Sequence, residues 1–80
     1  MKTVVKAPSN PRAVIEGEQW AVILTRAHAH GIILQLIESH RTAERAAKGA
    51  AWLNKHASEV SKQTADSYTA IHMENLEVVK

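Results

Sequence analysis

His28-Ala29-His30 is the spacing in this chain that most directly suggests chemistry. Alternate residues of a strand point to one side, and imidazole is a common ligand of zinc, nickel and copper, so the pair can offer two nitrogens to one ion. A structural zinc site needs four ligands. His40, His56 and His72 are the other histidines, and no local spacing brings them to the pair. The expectation is therefore histidines exposed at a turn, with no metal and no other cofactor.

Glu16, Glu18, Glu38 and Glu44 can supply paired carboxylates for acid/base work. Such groups act only in mutual reach with a nucleophile, an oxyanion site or a metal. No nucleophile motif or Gly-rich phosphate loop accompanies them, and the chain reads as non-enzymatic.

A third group is aromatic and cationic. Arg41, Arg45, Lys48 and Lys55 lie around Trp52 and His56 in "HRTAERAAKGAAWLNKH". At 100° per residue Ala43, Ala46, Ala47, Ala50, Leu53, Ala57 and Val60 share one arc of a helix, and Trp52 projects away from it beside Arg45, Lys48, His56 and Glu59. Either Trp52 packs against the N-terminal stretch "VVKAPSNP", or it is exposed. If exposed, Trp with Arg is the composition of an interface hot spot, and a phosphate backbone with a stacked base is the other fit.

The elements that position these residues must fit in 80 residues, which is one domain. A domain of that size buries only about 60% of the surface its unfolded chain exposes, so a partner or a second copy would help it. The chain has no cysteine and no Phe, and its aromatics are Trp20, Trp52 and Tyr68. The formal charge of +2, from ten cations and eight anions, is a weak footprint for nucleic acid. With no apolar run long enough for a signal peptide or a span, the expectation is a soluble, cytoplasmic protein.

"APSNPR" holds both prolines, which disfavour helix before them, so residues 1–12 are expected to form an extended arm. A short strand at Ala13-Val14-Ile15 would follow, with Gly17 in a turn. Residues 19–40 read as a β-hairpin interrupted at "AHG". A three-residue loop, Ala29-His30-Gly31, pairs His28 with Ile32 and sets Trp20, Val22 and Leu24 on one face with Ile32, Leu34 and Leu36. A two-residue loop, His30-Gly31, would mix these sets.

Thr42 can cap a helix over about 42–58, with Glu44 in its first turn. The polar "SKQTADS" leads to "YTAIHMENLEVVK", read as strand with a bulge or bend near Glu74-Asn75; a helix holding Tyr68, Ile71, Leu76 and Val79 on one side is the competing reading. The fold class is thus α+β: a small antiparallel sheet built on the hairpin, one helix on one face and a C-terminal strand. One helix covers one face only. The second face, with Ile23, Ile33 and Ile37, is therefore expected to self-associate, as is an unblocked edge along "QWAVILTRAH".

The order "WAVILTRAHAHGIILQLIESHRTAERAAKGAAWLNKH", two strands and then a capped helix, resembles the β-β-α unit of many short phage and mobile-element proteins, the anti-CRISPR inhibitors among them. That resemblance implies steric occupancy of a host protein or nucleoprotein complex, with no active site, and it carries over no individual residues. The expectation is a homodimeric, non-enzymatic protein-binding module using Trp52, Arg45, Lys48, His56, Arg41 and Lys55. The rival is a small nucleic-acid-binding regulator using the same basic face. DNA-binding β-β-α units place cations on the strands, whereas this hairpin carries only Arg26 there.

Overall fold

The structure is a computed structural model that describes residues 2–56 and 66–79, without the side chain of His28. The described residues form five strands and one α-helix: β1 (Thr3–Lys6), β2 (Trp20–His28), β3 (Gly31–His40), α1 (Ala43–Lys55), β4 (Ser67–His72) and β5 (Leu76–Val79). The strands form one sheet in the order β4-β2-β3-β1-β5, mixed and not wholly antiparallel as expected, because β1 runs parallel to β3 and β5. The α+β class, the hairpin, the helix and the C-terminal strand are as the sequence indicates. The bend expected near Glu74-Asn75 is a 3-10 turn, Met73–Asn75, between β4 and β5.

The hairpin turn differs from both expected loops. It consists of Ala29-His30, with His28 opposite Gly31 and Gly31 at φ +134°, a conformation that favours glycine. Toward its open end the strands pair Val22 with Glu38, but the next pair is Ile23 with Leu36, which leaves Ile37 as an extra residue. This bulge switches the face of everything beyond it. Trp20 and Val22 keep their expected face, while Leu34 and Leu36 join Ala21 and Ile23 on the other.

The face carrying Trp20 and Val22 takes the helix. Val22, Ala46 and Ala50 are buried together, with Trp20, Leu53, Tyr68 and Ala70 packed around them. Thr42 caps α1 by accepting a 3.2 Å hydrogen bond from the amide of Arg45, a contact worth about 1 kcal/mol. Of the other residues expected on the core arc, Ala43 and Ala47 are exposed, and Ala57 and Val60 lie outside the described residues. Trp20 also meets the His72 ring edge-on at 5.0 Å across β2 and β4.

The opposite face was expected to be left over, and it is not. β4 and β5 are the two ends of the strand order, about 19 Å apart if the sheet were flat. Only Met73–Asn75 joins them, and three residues of 3-10 helix rise about 6 Å. The sheet must therefore fold on itself. β1 pairs with β3 at Lys6–Gln35 alone and with β5 along its length, so β1 and β5 form a ribbon that swings away from β3.

That ribbon brings Val5 and Leu76 onto Ala21, Ile23 and Leu36, all at most 6% exposed, and Val14, Leu34, Ile71 and Met73 close around them. The molecule is thus layered as helix, three-stranded sheet and ribbon. Met73 donates a 2.7 Å hydrogen bond to the carbonyl of Gln19, pinning the corner where β4 turns into β5.

Several expectations are corrected here. Ile23, expected on a self-associating face, is core at 1% exposure because the ribbon covers it. The stretch "QWAVILTRAH" is no edge, since β2 lies between β4 and β3. Residues 3–6 of the expected arm are a sheet strand. The expected strand at Ala13-Val14-Ile15 is displaced by a 3-10 turn at Pro11–Ala13, where Pro11 presets φ and Asn10 accepts from the Arg12 amide at 3.1 Å.

Polar groups inside this arrangement are matched. Ser39, 7% exposed, accepts from the Ile15 amide at 2.8 Å and donates to Glu18 at 2.9 Å. Gln35 reaches from β3 to the carbonyl of Ala7 at 3.2 Å and to Ser9 at 2.9 Å, tying the chain after β1 to the hairpin.

Candidate functional site on the exposed helix face

The rotation of α1 about its axis is set from both sides. On the β3 side Gly49 sits against Glu38 and His40: a Cβ at position 49 would stand 2.9 Å from Oε1 of Glu38 and 3.0 Å from Nε2 of His40. On the β4 side Asn54 donates to the carbonyl of Tyr68 at 3.0 Å and accepts from its amide at 2.8 Å. With Ala46 and Ala50 pressed to the sheet between these contacts, the remaining arc has to face water.

Of the residues expected to bind a partner, Arg45, Lys48, Trp52 and Lys55 lie on α1 and His56 caps its end, while Arg41 lies before the Thr42 cap; all six are exposed, Trp52 at 60%. The N-terminal segment does not cover Trp52, because it is held in the ribbon on the other side of the sheet. The described contact of the indole is the His56 ring one turn on, with centroids 4.4 Å apart and a tilt of 34°. An indole and an imidazole held together in this way form a flat, amphipathic platform.

The charges around it are unequally engaged. Lys48 pairs with Glu44 at 3.2 Å, one turn away, and Arg41 lies 4.0 Å from Glu18. Exposed pairs of this kind contribute little and leave both groups free to rearrange. No described residue pairs with Arg45 or Lys55. Residues 41–56 hold four Lys or Arg against one Glu, while the whole chain is +2, so the rest of the molecule is slightly negative. The cationic character belongs to this one face.

The acid/base candidates are dispersed. Glu18 is engaged by Ser39, Glu44 by Lys48, and Glu38 by His40 at 3.2 Å. Glu38 and His40 have the form of a carboxylate orienting an imidazole, but Ser39, between them in sequence, points to the opposite face of the sheet. Glu16 lines an open hollow with Ile15, Gly17, Glu18, Gln19 and Arg41. Among the described residues no three His, Asp or Glu side chains converge to hold a metal ion.

Of the aliphatic residues expected to self-associate, Ile33 and Ile37 are half-buried. Ile33 lines a groove of about 290 Å³ with Val4, Ile32, Leu34 and Val79, opened where β1 splays from β3. Ile32 is 70% exposed and Val4 53%. Sequence reasoning missed Val4, which it placed in the N-terminal arm, and it gave Val79, read as part of a C-terminal strand, no neighbour with which to line a groove. It also missed Gly49 and Asn54, whose roles depend on what stands opposite them.

One ionic pair stands apart from this face. Arg26 donates to Asp66 through Nε at 2.8 Å and an Nη at 2.7 Å, and the Asp66 side chain is fully shielded. These hydrogen bonds, and then the carboxylate charge, raise the Arg26 pKa above its ordinary value. The only cation on the hairpin strands is therefore committed to holding the start of β4.

No helix among the described residues is long and apolar enough to cross a membrane. No protein-family model matches the chain, and no curated protein and no solved structure matches it at a significant level.

Proposed function

We propose that this chain is a non-enzymatic binding protein that docks a larger protein or nucleoprotein through α1, as an inhibitor acting by steric occupancy in the manner of the small phage proteins its β-β-α order resembles. The observation that carries the reading is Trp52, 60% exposed with the tilted His56 ring against it, on a helix whose rotation is fixed from both sides. An exposed indole with Lys48 one turn and Arg45 two turns before it on a rigid helix loses little conformational freedom on binding and buries a large apolar area. Arg41, Arg45, Lys48 and Lys55 would form the rim, favouring a partner whose surface is acidic around an apolar recess.

The concentration of positive charge on residues 41–56 supports a second reading, a single nucleic-acid strand stacked on Trp52 with its phosphates along the cations. The two separate experimentally. Immobilised wild type and Trp52→Ala are compared for what they retain from an extract of the host cell, beside thermal melts of both. The proposal expects a protein retained by the wild type and lost by the variant, with melting changed by no more than about 0.5 kcal/mol, as for a surface substitution. Equal retention by both overturns it. A gel shift with single-stranded DNA that weakens steeply with salt would move the assignment to nucleic acid.

A further inference from the structure

The two free edges of the sheet are treated differently. The outer edge of β4 is closed at Tyr68 by the Asn54 carboxamide, which takes both backbone hydrogen bonds that a further strand would need. The outer edge of β5 has no such cover: Glu77, Val78 and Val79 are exposed, and no described residue bonds the outward-facing backbone of Val78. The strand contains no proline and no lysine to discourage pairing.

Which backbone groups face outward follows from the pairing. Val79 accepts from the Ala7 amide at 3.0 Å, so Val79 and, by alternation, Glu77 turn their backbone groups toward β1. Leu76 and Val78 turn theirs away. The Leu76 amide is already spent on the carbonyl of Met73. Among the described residues, nothing bonds the donor and the acceptor that Val78 turns outward side by side.

We infer that β5 pairs antiparallel with β5 of a second copy across a two-fold axis through Val78. In that register Val78 exchanges both hydrogen bonds with its symmetry mate, as a hydrogen-bonded antiparallel pair does. Glu77 then lies opposite Val79 of the other copy, and two valines meet across the axis. The alternative register that keeps each side chain on its proper face puts Glu77 against Glu77, which is repulsive, and requires the Leu76 amide that is already used. The two ribbons become one four-stranded sheet with order β1-β5-β5-β1. This surface is separate from the exposed face of α1 and does not depend on it.

A second copy is the partner the edge selects, because the edge is complementary to itself in hydrogen bonding and in its valines. A four-residue strand falls well short of the roughly 800 Å² per partner of a standard interface, so the dimer is weak and forms with rising concentration. Sedimentation equilibrium of the full chain from micromolar to millimolar should show the mass climbing toward twice the monomer. Val78→Pro removes an outward N–H without touching the β1 pairing, a position where an edge strand tolerates proline. It should weaken association about tenfold or more at unchanged secondary structure.

The register has its own readout, since the chain has no cysteine. Glu77 and Val79 of the two copies would be a non-hydrogen-bonded pair about 4.5 Å apart at Cα, within disulfide reach. The double variant Glu77→Cys/Val79→Cys should form disulfide-linked dimers on mild oxidation, and Glu77→Cys alone should not. A chain that stays monomeric throughout, a dimer indifferent to Val78→Pro, or efficient linking by Glu77→Cys alone would each overturn the inference. If Val78→Pro fails to fold, the cysteine pair still decides it.

Discussion

Asn54 and Tyr68 are joined by two hydrogen bonds, side-chain amide to backbone carbonyl at 3.0 Å and backbone amide to side-chain oxygen at 2.8 Å. A helix residue thereby imitates the next strand of the sheet. The contact holds α1 down at its C-terminal end and occupies the β4 edge at Tyr68. Asn54→Ala should cost about 0.5–1.5 kcal/mol, because the two hydrogen bonds are exposed and water can replace the lost partner. At about 4–8 °C per kcal/mol for a domain of this size, calorimetry resolves the loss easily. Asn54→Asp keeps only the acceptor and should fall between the two.

The covering of Ile23 by the β1–β5 ribbon distinguishes a closed inner face from an open one. Ile23→Ala should destabilise by about 2–5 kcal/mol, as large-to-small changes in a packed core do, leaving a small domain largely unfolded at ambient temperature. Ile32→Ala, at a residue 70% exposed, should change stability by less than about 0.5 kcal/mol. Equal, small effects in urea titrations would mean the ribbon does not sit where the structure has it.

Gly49 is set by two opposing terms. Alanine gains about 1 kcal/mol of helix propensity over glycine, while its Cβ must push aside the ends of Glu38 and His40. Those ends are mobile, so Gly49→Ala should be close to neutral. Gly49→Leu has no such escape and should lift the helix from β3, losing more than about 2 kcal/mol. Chemical denaturation of the pair of variants tests the close approach directly.

Arg26 should matter at every pH in the working range. Its folded pKa is raised by Asp66, so the stability it contributes is present below the unfolded value and is lost only as pH rises through the folded one, far above neutrality. Arg26→Met leaves the shielded Asp66 carboxylate without its fork of donors and should lower the melting temperature by the same margin from neutral to mildly alkaline pH. A margin that shrinks across that window would place the titrating group elsewhere.

Trp52 reports on its own surroundings. Because the indole is exposed beside His56, acrylamide should quench its emission readily while Trp20, packed under the helix, stays shielded. Trp52→Phe should remove the accessible fraction of the fluorescence, and a spectrum with no accessible fraction in the wild type would return Trp52 to the interior.

What the chain announces along its own length is local. The Thr42 cap, the alanines of α1, the aliphatic hairpin and the break at Glu74-Asn75 follow from propensities and periods that act within a few residues, and so does the exposed arc around Trp52. The bulge at Ile37, the strand at Thr3–Lys6 and the ribbon over Ile23 were decided by the tertiary structure alone. A strand's pairing and register are set by side chains distant in sequence, so Val4-Val5 has no partner until Leu76–Val79 arrives beside it. One residue of slip in β3 reverses which isoleucines meet water, and no local signal fixes that slip.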